Sequence, residues 1–272
     1  DIDPTRDLVY VEAFVHTILG DNEEALDLLT EHRGADSLEA SHVTEHLANL
    51  LNHQGNYEES LALFHRTLAV RRQHVTGDSS EVSPLYLGMG SVLAKLERYD
   101  AANAAYQAGL AMNERLFGPD NSYRVYFVNS LGRVAEETGD LEAASRYFEE
   151  ARELILRDSP DSPNLAFAAA NAGRIQMKRG HYAEALPYYR ESAAVFETAL
   201  PGHWALGKVK SGLGRCLVEV GEYAEAETLI LEGLRRLELQ WDAGHPDVVD
   251  ARAYAAILYE RWGMPEKALA YR

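Results

Sequence analysis

The feature that most constrains this chain is a six-residue turn that keeps returning. Gly55-Asn56-Tyr57-Glu58-Glu59-Ser60 recurs as Glu97-Arg98-Tyr99-Asp100-Ala101-Ala102 and Gly139-Asp140-Leu141-Glu142-Ala143-Ala144. It returns again at Gly180-His181-Tyr182, Gly221-Glu222-Tyr223 and Gly263-Met264-Pro265. The third residues of these copies, at 57, 99, 141, 182, 223 and 265, lie 42, 42, 41, 41 and 42 apart. A degenerate earlier copy, Gly20-Asp21-Asn22-Glu23-Glu24-Ala25, precedes Tyr57 by 35 residues. Stacked supersecondary units, each burying its apolar face only against its neighbours, produce such a period. At roughly 150 residues per domain the 272 residues would suggest two globular domains, and the period predicts one array instead.

Around each turn the apolar residues follow a helical period. Val128, Leu131, Gly132 and Ala135 precede Gly139, and Ala144, Phe148 and Ala151 follow it. The pattern predicts two antiparallel helices per copy, approaching closely at Gly132 and Ala144, with Phe148 filling the gap to the next pair. Gly, Pro, Ser and Asp cluster at 76–83, 118–122, 157–163, 201–202 and 243–247, where they read as helix stops and N-caps.

An aromatic, a Leu-Gly pair, then Ala and an aromatic on a second helix form a pattern that resembles the tetratricopeptide (TPR) repeat. Here it reads Tyr86, Met89-Gly90, Leu93, Ala102, Tyr106; then Lys210, Leu213-Gly214, Leu217, Ala226, Ile230; and Thr44, Leu47-Ala48, Leu51, Ser60, Phe64. The period exceeds the roughly 34 residues of the plain repeat and, with Gly118-Pro119-Asp120 and Gly244-His245-Pro246-Asp247, resembles the kinesin-light-chain-like subclass. The resemblance implies an all-α, right-handed TPR α-solenoid of about seven antiparallel helix pairs. It implies a single domain over 1–272, with a degenerate first repeat at 1–38, repeats at 39–82, 83–123, 124–163, 164–204 and 205–246, and a truncated last repeat at 247–272. The chain opens on Asp1 and closes fewer than three turns after Pro265, so it reads as part of a longer protein.

Composition narrows the function. With 26 Lys+Arg against 43 Asp+Glu the net charge is −17. Nucleic acids and anionic membranes need clustered cations, and none is present. No apolar run reaches the roughly 18–20 residues of a membrane span, since Leu8 to Leu19 is broken by Glu12 and His16. The single cysteine, Cys216, excludes an intrachain disulfide and sits among apolar helix positions as a packed thiol. Tyr57, Tyr99, Tyr182 and Tyr223 share one repeat position and read as packing.

One metal pattern stands out. His42-Val43-Thr44-Glu45-His46 fits H-x-x-E-H, with His53 on the same helical face, so His42, His46 and His53 are candidate metal ligands. The bland alternative makes them solvated positions of a first helix. No phosphate loop, dinucleotide fingerprint, nucleophile elbow or paired C-x-x-C occurs, so no catalytic residue and no cofactor is expected.

In a TPR solenoid the first helices line a concave face, and the position six before each turn points into it. That position reads Asn49, Ser91, Arg133, Arg174, Arg215 and Ile257. Three registered arginines in an acidic chain form a candidate strip for carboxylates or peptide carbonyls. Asn129, Asn171, Tyr126, Lys178, Lys208 and Phe167 flank it. The competing reading has the arginines paired internally, Arg133 with Glu136 or Glu137 and Arg215 with Glu219. The expected function is a protein-interaction scaffold for a peptide or acidic segment. The alternative is the sensor or regulatory region of a larger signalling enzyme. The closing segment Tyr259 to Arg272 resembles TPR regions of bacterial serine/threonine protein kinases, and a bacterial nucleotide-switch ATPase with a C-terminal sensor array predicts the same repeats. Cytoplasmic placement is expected, or membrane tethering within a transmembrane kinase.

Overall fold

The computed structural model describes residues 36–272 and, before them, His16, Asp21, Glu24, Asp27, Leu28, Thr30, Glu31 and Gly34. The degenerate turn at Gly20 and most of the expected first repeat lie outside the described residues. Among those described are twelve α-helices, one short 3-10 segment and no strand. They fall into two compact units, Asp1–Thr138 and Gly139–Arg272. The first holds α1 (Leu38–Gln54), α2 (Tyr57–His74), α3 (Ser83–Lys95), α4 (Tyr99–Phe117) and α5 (Arg124–Glu137). The second holds α6 (Leu141–Asp158), α7 (Asn164–Lys178), α8 (Tyr182–Ala199), α9 (Ala205–Val220), α10 (Tyr223–Glu238), α11 (Pro246–Arg261) and α12 (Pro265–Ala268), with the 3-10 turn Leu269–Tyr271 behind it.

Within each unit, helices adjacent in sequence pack on one another: α1 on α2 and α3 on α4 in the first, α7 on α8 and α9 on α10 in the second. The repeated turn explains why. Its glycines at 55, 139, 180, 221 and 263 adopt φ between 78° and 87°, the left-handed region that stops a helix cheaply only when no Cβ is present. The second copy carries Glu97 in that slot, the only non-glycine with positive φ among the described residues, at 58°. Glu97→Gly is therefore expected to stabilise the first unit by about 0.5–1 kcal/mol in urea unfolding, strain relief exceeding the added chain entropy. Destabilisation would show that the Glu97 side chain contributes more than its backbone costs.

Among the described residues the small position of each second helix is fully buried: Ser60, Ala102, Ala144, Ala185, Ala226 and Ala268 are all 0% exposed. In the first copy the Ser60 hydroxyl donates to the Ala48 carbonyl at 2.6 Å, which lets a polar atom sit at the same contact. Four residues on, Phe64, Tyr106, Phe148, Tyr189 and Ile230 are buried to 4% or less. Glycines receive several of these side chains. Tyr106 covers Gly90, Tyr189 lies between Gly173 and Gly212, and Ile230 fills the space at Gly214. Burying each such side chain contributes roughly 1.5–3 kcal/mol, so the repeated position is a main source of stability.

Cys216 is fully buried, and burial pushes its thiol up to about 12. It packs with Leu213, Leu217 and Tyr189 as an apolar side chain. The four repeated tyrosines each open a second helix and are half-buried. Tyr223 stacks on Trp262 with ring centroids 5.9 Å apart.

Candidate functional site

The residues six before each turn lie on first helices, but their surroundings differ. In the first unit, Arg133 on α5 is exposed and, among the described residues, makes no ion pair, even with Glu136 and Glu137 one turn on. It borders a cavity of about 210 Å³ whose wall includes Ser91 of α3, Tyr106 of α4 and Ser130 of α5. Burial pushes the Tyr106 hydroxyl above its ordinary value, against the opposing influence of Ser130, Arg133 and Ser91. The phenol therefore stays neutral and able to donate. Lys95 adds a second cation to the rim, and Glu97 and Glu137 add anions. Tyr126, two turns earlier, is 50% exposed with its ring 5.1 Å from that of Tyr123, and Asn129 is half-buried.

In the second unit the arginines are engaged. Arg174 donates to the Asn171 Oδ1 at 3.1 Å and lies over the Phe148 ring at 5.9 Å. Arg215 pairs with Glu219 at 2.7 Å and covers the Tyr182 ring at 5.0 Å. Arg261 also approaches Glu219, at 3.6 Å. Lys208 is held by Asp247 at 2.6 Å, and Lys178 is exposed but has a partner. Phe167 packs edge-on against Phe196 at 4.9 Å and His203 at 5.5 Å.

The H-x-x-E-H pattern has a different occupant. Arg71, 2% exposed on α2, reaches across to α1, where its guanidinium meets His42 Nδ1 at 3.0 Å and Glu45 at 2.6 Å. It also donates to Ser41 Oγ and to the Glu81 carbonyl. A permanent cation thus holds both the first histidine and the glutamate of the motif. Burial first, then Arg71, pulls the His42 pKa below its ordinary value. His46 and His53 are exposed. A separate trio, His16, Asp21 and Glu24, brings ligand atoms within 4.8 Å of one another through ordinary imidazole–carboxylate contacts of 3.7 Å.

The Ser91, Tyr106 and Ser130 hydroxyls around Arg133 were hidden in the sequence. Ser91 occupied the register slot, but Tyr106 read only as core. Lys210 stood in the slot of the family's aromatic, and the structure shows its use: it is 7% exposed and bridges Glu197 at 2.8 Å and Glu232 at 2.9 Å.

A family model for the tetratricopeptide repeat matches residues 38–115, 81–156 and 124–198, and a second one for the same repeat matches 170–239. The chain belongs to the tetratricopeptide repeat family. No curated protein matches the chain by sequence. Among solved structures, BtubC (BKLC) from P. vanneervenii is similar at 17% identity and TM-score 0.70, over 90% of this chain and 95% of that one. The TPR-like repeats of a Podosopora anserina putative kinesin light chain are similar at 16% identity and TM-score 0.61, over 73% and 96%. A signal transduction ATPase (STAND) protein with a TPR sensor, from Pyrococcus horikoshii, is similar at 14% identity and TM-score 0.74, over 97% of this chain and 40% of that one. The fold is thus the TPR solenoid, including its kinesin-light-chain-like form, and it is consistent with an interaction scaffold. No helix among the described residues is long and apolar enough to cross a membrane.

Proposed function

We propose that this TPR chain is a scaffold that takes an acidic peptide segment on its first-helix face, with Arg133 as the anchoring cation. The observation that carries the reading is the exposed, ion-pair-free Arg133 guanidinium at the Ser91, Tyr106 and Ser130 hydroxyls, in a chain of net charge −17. A carboxylate there gains a planar donor fork beside neutral hydroxyls, of which Ser130 already donates to the Tyr126 carbonyl at 2.8 Å. Asn129 and Tyr126 extend the strip along α5, and Asn171, Arg174, Lys178, Lys208 and Arg215 occupy the corresponding helices of the second unit. There Arg215 pairs with Glu219 and Arg174 donates to Asn171, each over an aromatic ring, so they serve as walls more than as open anchors.

The test is a peptide array carrying Glu/Asp-rich sequences and their Lys-rich counterparts. Arg133→Ala is expected to weaken capture of acidic peptides at least tenfold, as a hydrogen bond to a charged group contributes roughly 1.5–3 kcal/mol. Arg215→Ala is expected to have a smaller effect. Equal capture by wild type and an Arg133/Arg174/Arg215 triple alanine variant would overturn the reading. A second reading is the sensor region of a larger kinase or nucleotide-switch ATPase; the likeness to the Pyrococcus ATPase protein that carries a TPR sensor supports the ATPase parent alone. The reading frame upstream of Asp1 separates the two.

A further inference from the structure

The cavity beside Arg133 carries charge of both signs. Arg133 and Lys95 supply two cations to its lining, and Glu97 and Glu137 supply two carboxylates. All four side chains are exposed, and among the described residues none of them makes an ion pair. Arg133 and Glu137 lie one turn apart on α5, a spacing at which opposite charges ordinarily meet. The second unit shows that meeting. At the equivalent register, Arg215 pairs with Glu219 at 2.7 Å and covers the Tyr182 ring at 5.0 Å. Tyr99 holds the register position of Tyr182 and Lys95 that of Lys178, but Glu97 replaces Gly180. The first unit therefore has one carboxylate more than the second at these positions, and its arginine is unpaired.

The charges sort into two poles. Ser130, Arg133 and Ser91 act on the Tyr106 hydroxyl, which marks the cationic side. Glu137 and Glu97 both act on Tyr99, where burial first and then these two carboxylates push the phenol above its ordinary value. An all-acidic segment reaching Arg133 would bring its second carboxylate toward Glu97 and Glu137 and gain nothing from them. A segment with a base beside its acid meets both poles, and like-charge contact no longer works against it. The chain's own unpaired carboxylates thus define the residue that should neighbour the acid.

We propose that this cavity selects a mixed-charge peptide segment, with an acidic residue on Arg133 and a lysine or arginine beside it on Glu97 and Glu137. This selectivity rests on Arg133 anchoring an acidic peptide, and it narrows which peptide is taken. The probes are terminally blocked alanine peptides with a neutral dye, carrying Glu-Lys, Glu-Ala, Glu-Glu or Gln-Lys at the centre. They are titrated with the full chain at low salt, where exposed charges are least screened, and followed by fluorescence anisotropy. Glu-Lys should bind roughly threefold tighter than Glu-Ala or better, the gain that two exposed ion pairs allow. Glu-Glu should bind no tighter than Glu-Ala, and Gln-Lys should bind weakest because it leaves Arg133 unfilled. Glu97→Gln with Glu137→Gln, two near-isosteric changes at exposed positions, should bring Glu-Lys to within about twofold of Glu-Ala. Glu-Ala capture that is lost in Arg133→Ala, with no added affinity for Glu-Lys, would overturn the proposal and leave the peptide scaffold standing. A Glu-Lys preference that survives the double substitution, an equal gain for Glu-Glu, or Gln-Lys binding as tight as Glu-Lys would overturn it too, the last by reducing it to the general pull of a chain of charge −17. Binding of every peptide unchanged by Arg133→Ala would remove the scaffold reading and this one together.

Discussion

Gly233→Ala is expected to cost the second unit about 3 kcal/mol, the top of the usual range for overpacking. A Cβ at Gly233 would sit 2.3 Å from Ser211 Oγ, 2.5 Å from the Gly207 carbonyl oxygen and 2.9 Å from the Ser211 backbone nitrogen. The hydroxyl can swing aside, but the two backbone atoms cannot. The contact is reciprocal, because a Cβ at Gly207 would meet the Gly233 carbonyl at 2.9 Å. Helices α9 and α10 therefore approach backbone to backbone at these two glycines, and one methyl group must push them apart along their length. Ile230 over Gly214 and Leu237 beside Gly207 would lose contact as they separate. The measurement is urea unfolding, with Gly202→Ala as control, since nothing lies within 4 Å of that position. A Gly233→Ala midpoint matching that of Gly202→Ala would show that the helices slide past one another without loss.

Arg71→Met is expected to destabilise the first unit by about 3 kcal/mol. Removing one partner of a buried ion pair typically costs roughly 3–5 kcal/mol, and Glu45, at 24% exposed, regains some water, which places the effect at the lower end. Methionine keeps most of the volume, so the loss reports on the guanidinium's bonds to Glu45, the Glu81 carbonyl and Ser41. Because repeats are stabilised mainly by their neighbours, hydrogen-exchange protection should fall in α1 and α2 and persist in α9 and α10. The same variant changes a titration. Burial and then Arg71 depress the His42 pKa, so the unfolded chain binds the proton more readily and stability falls as pH drops below the ordinary imidazole value of 6.5. Without Arg71 the His42 titration should move up toward that value and the acid-side loss should shrink. Uniform loss of protection across the chain, or an unmoved His42, would contradict this account.

The fold was legible because it is written periodically. The turn copies mark each reversal, the left-handed glycines explain why that residue recurs there, and the buried small and aromatic positions recur with the same spacing. A helix face is a local property, and 3.6-residue periodicity reveals it without knowledge of the neighbour. Glu97 is instructive, since its place in the period predicted a turn although its side chain disfavours the conformation.

The candidate site was legible only as a register. The spacing placed Arg133, Arg174 and Arg215 at equivalent positions, but it could not say what faced each guanidinium. Arg215 met Glu219 and Tyr182, and Lys208 met Asp247 from a helix about forty residues away in sequence. The H-x-x-E-H spacing brought His42 and Glu45 to one face, yet their occupant was Arg71, supplied by the following helix.

The sequence by itself therefore determined the repeat, its helices, its turns and the positions of its core, because each follows from backbone preference and apolar periodicity within a few residues. The tertiary structure alone decided which charges are spent and which are open, and where the cavities lie. Those depend on side chains brought together from separate helices, where a contact of about 3 Å makes a bond and a few ångströms more leaves an exposed arginine.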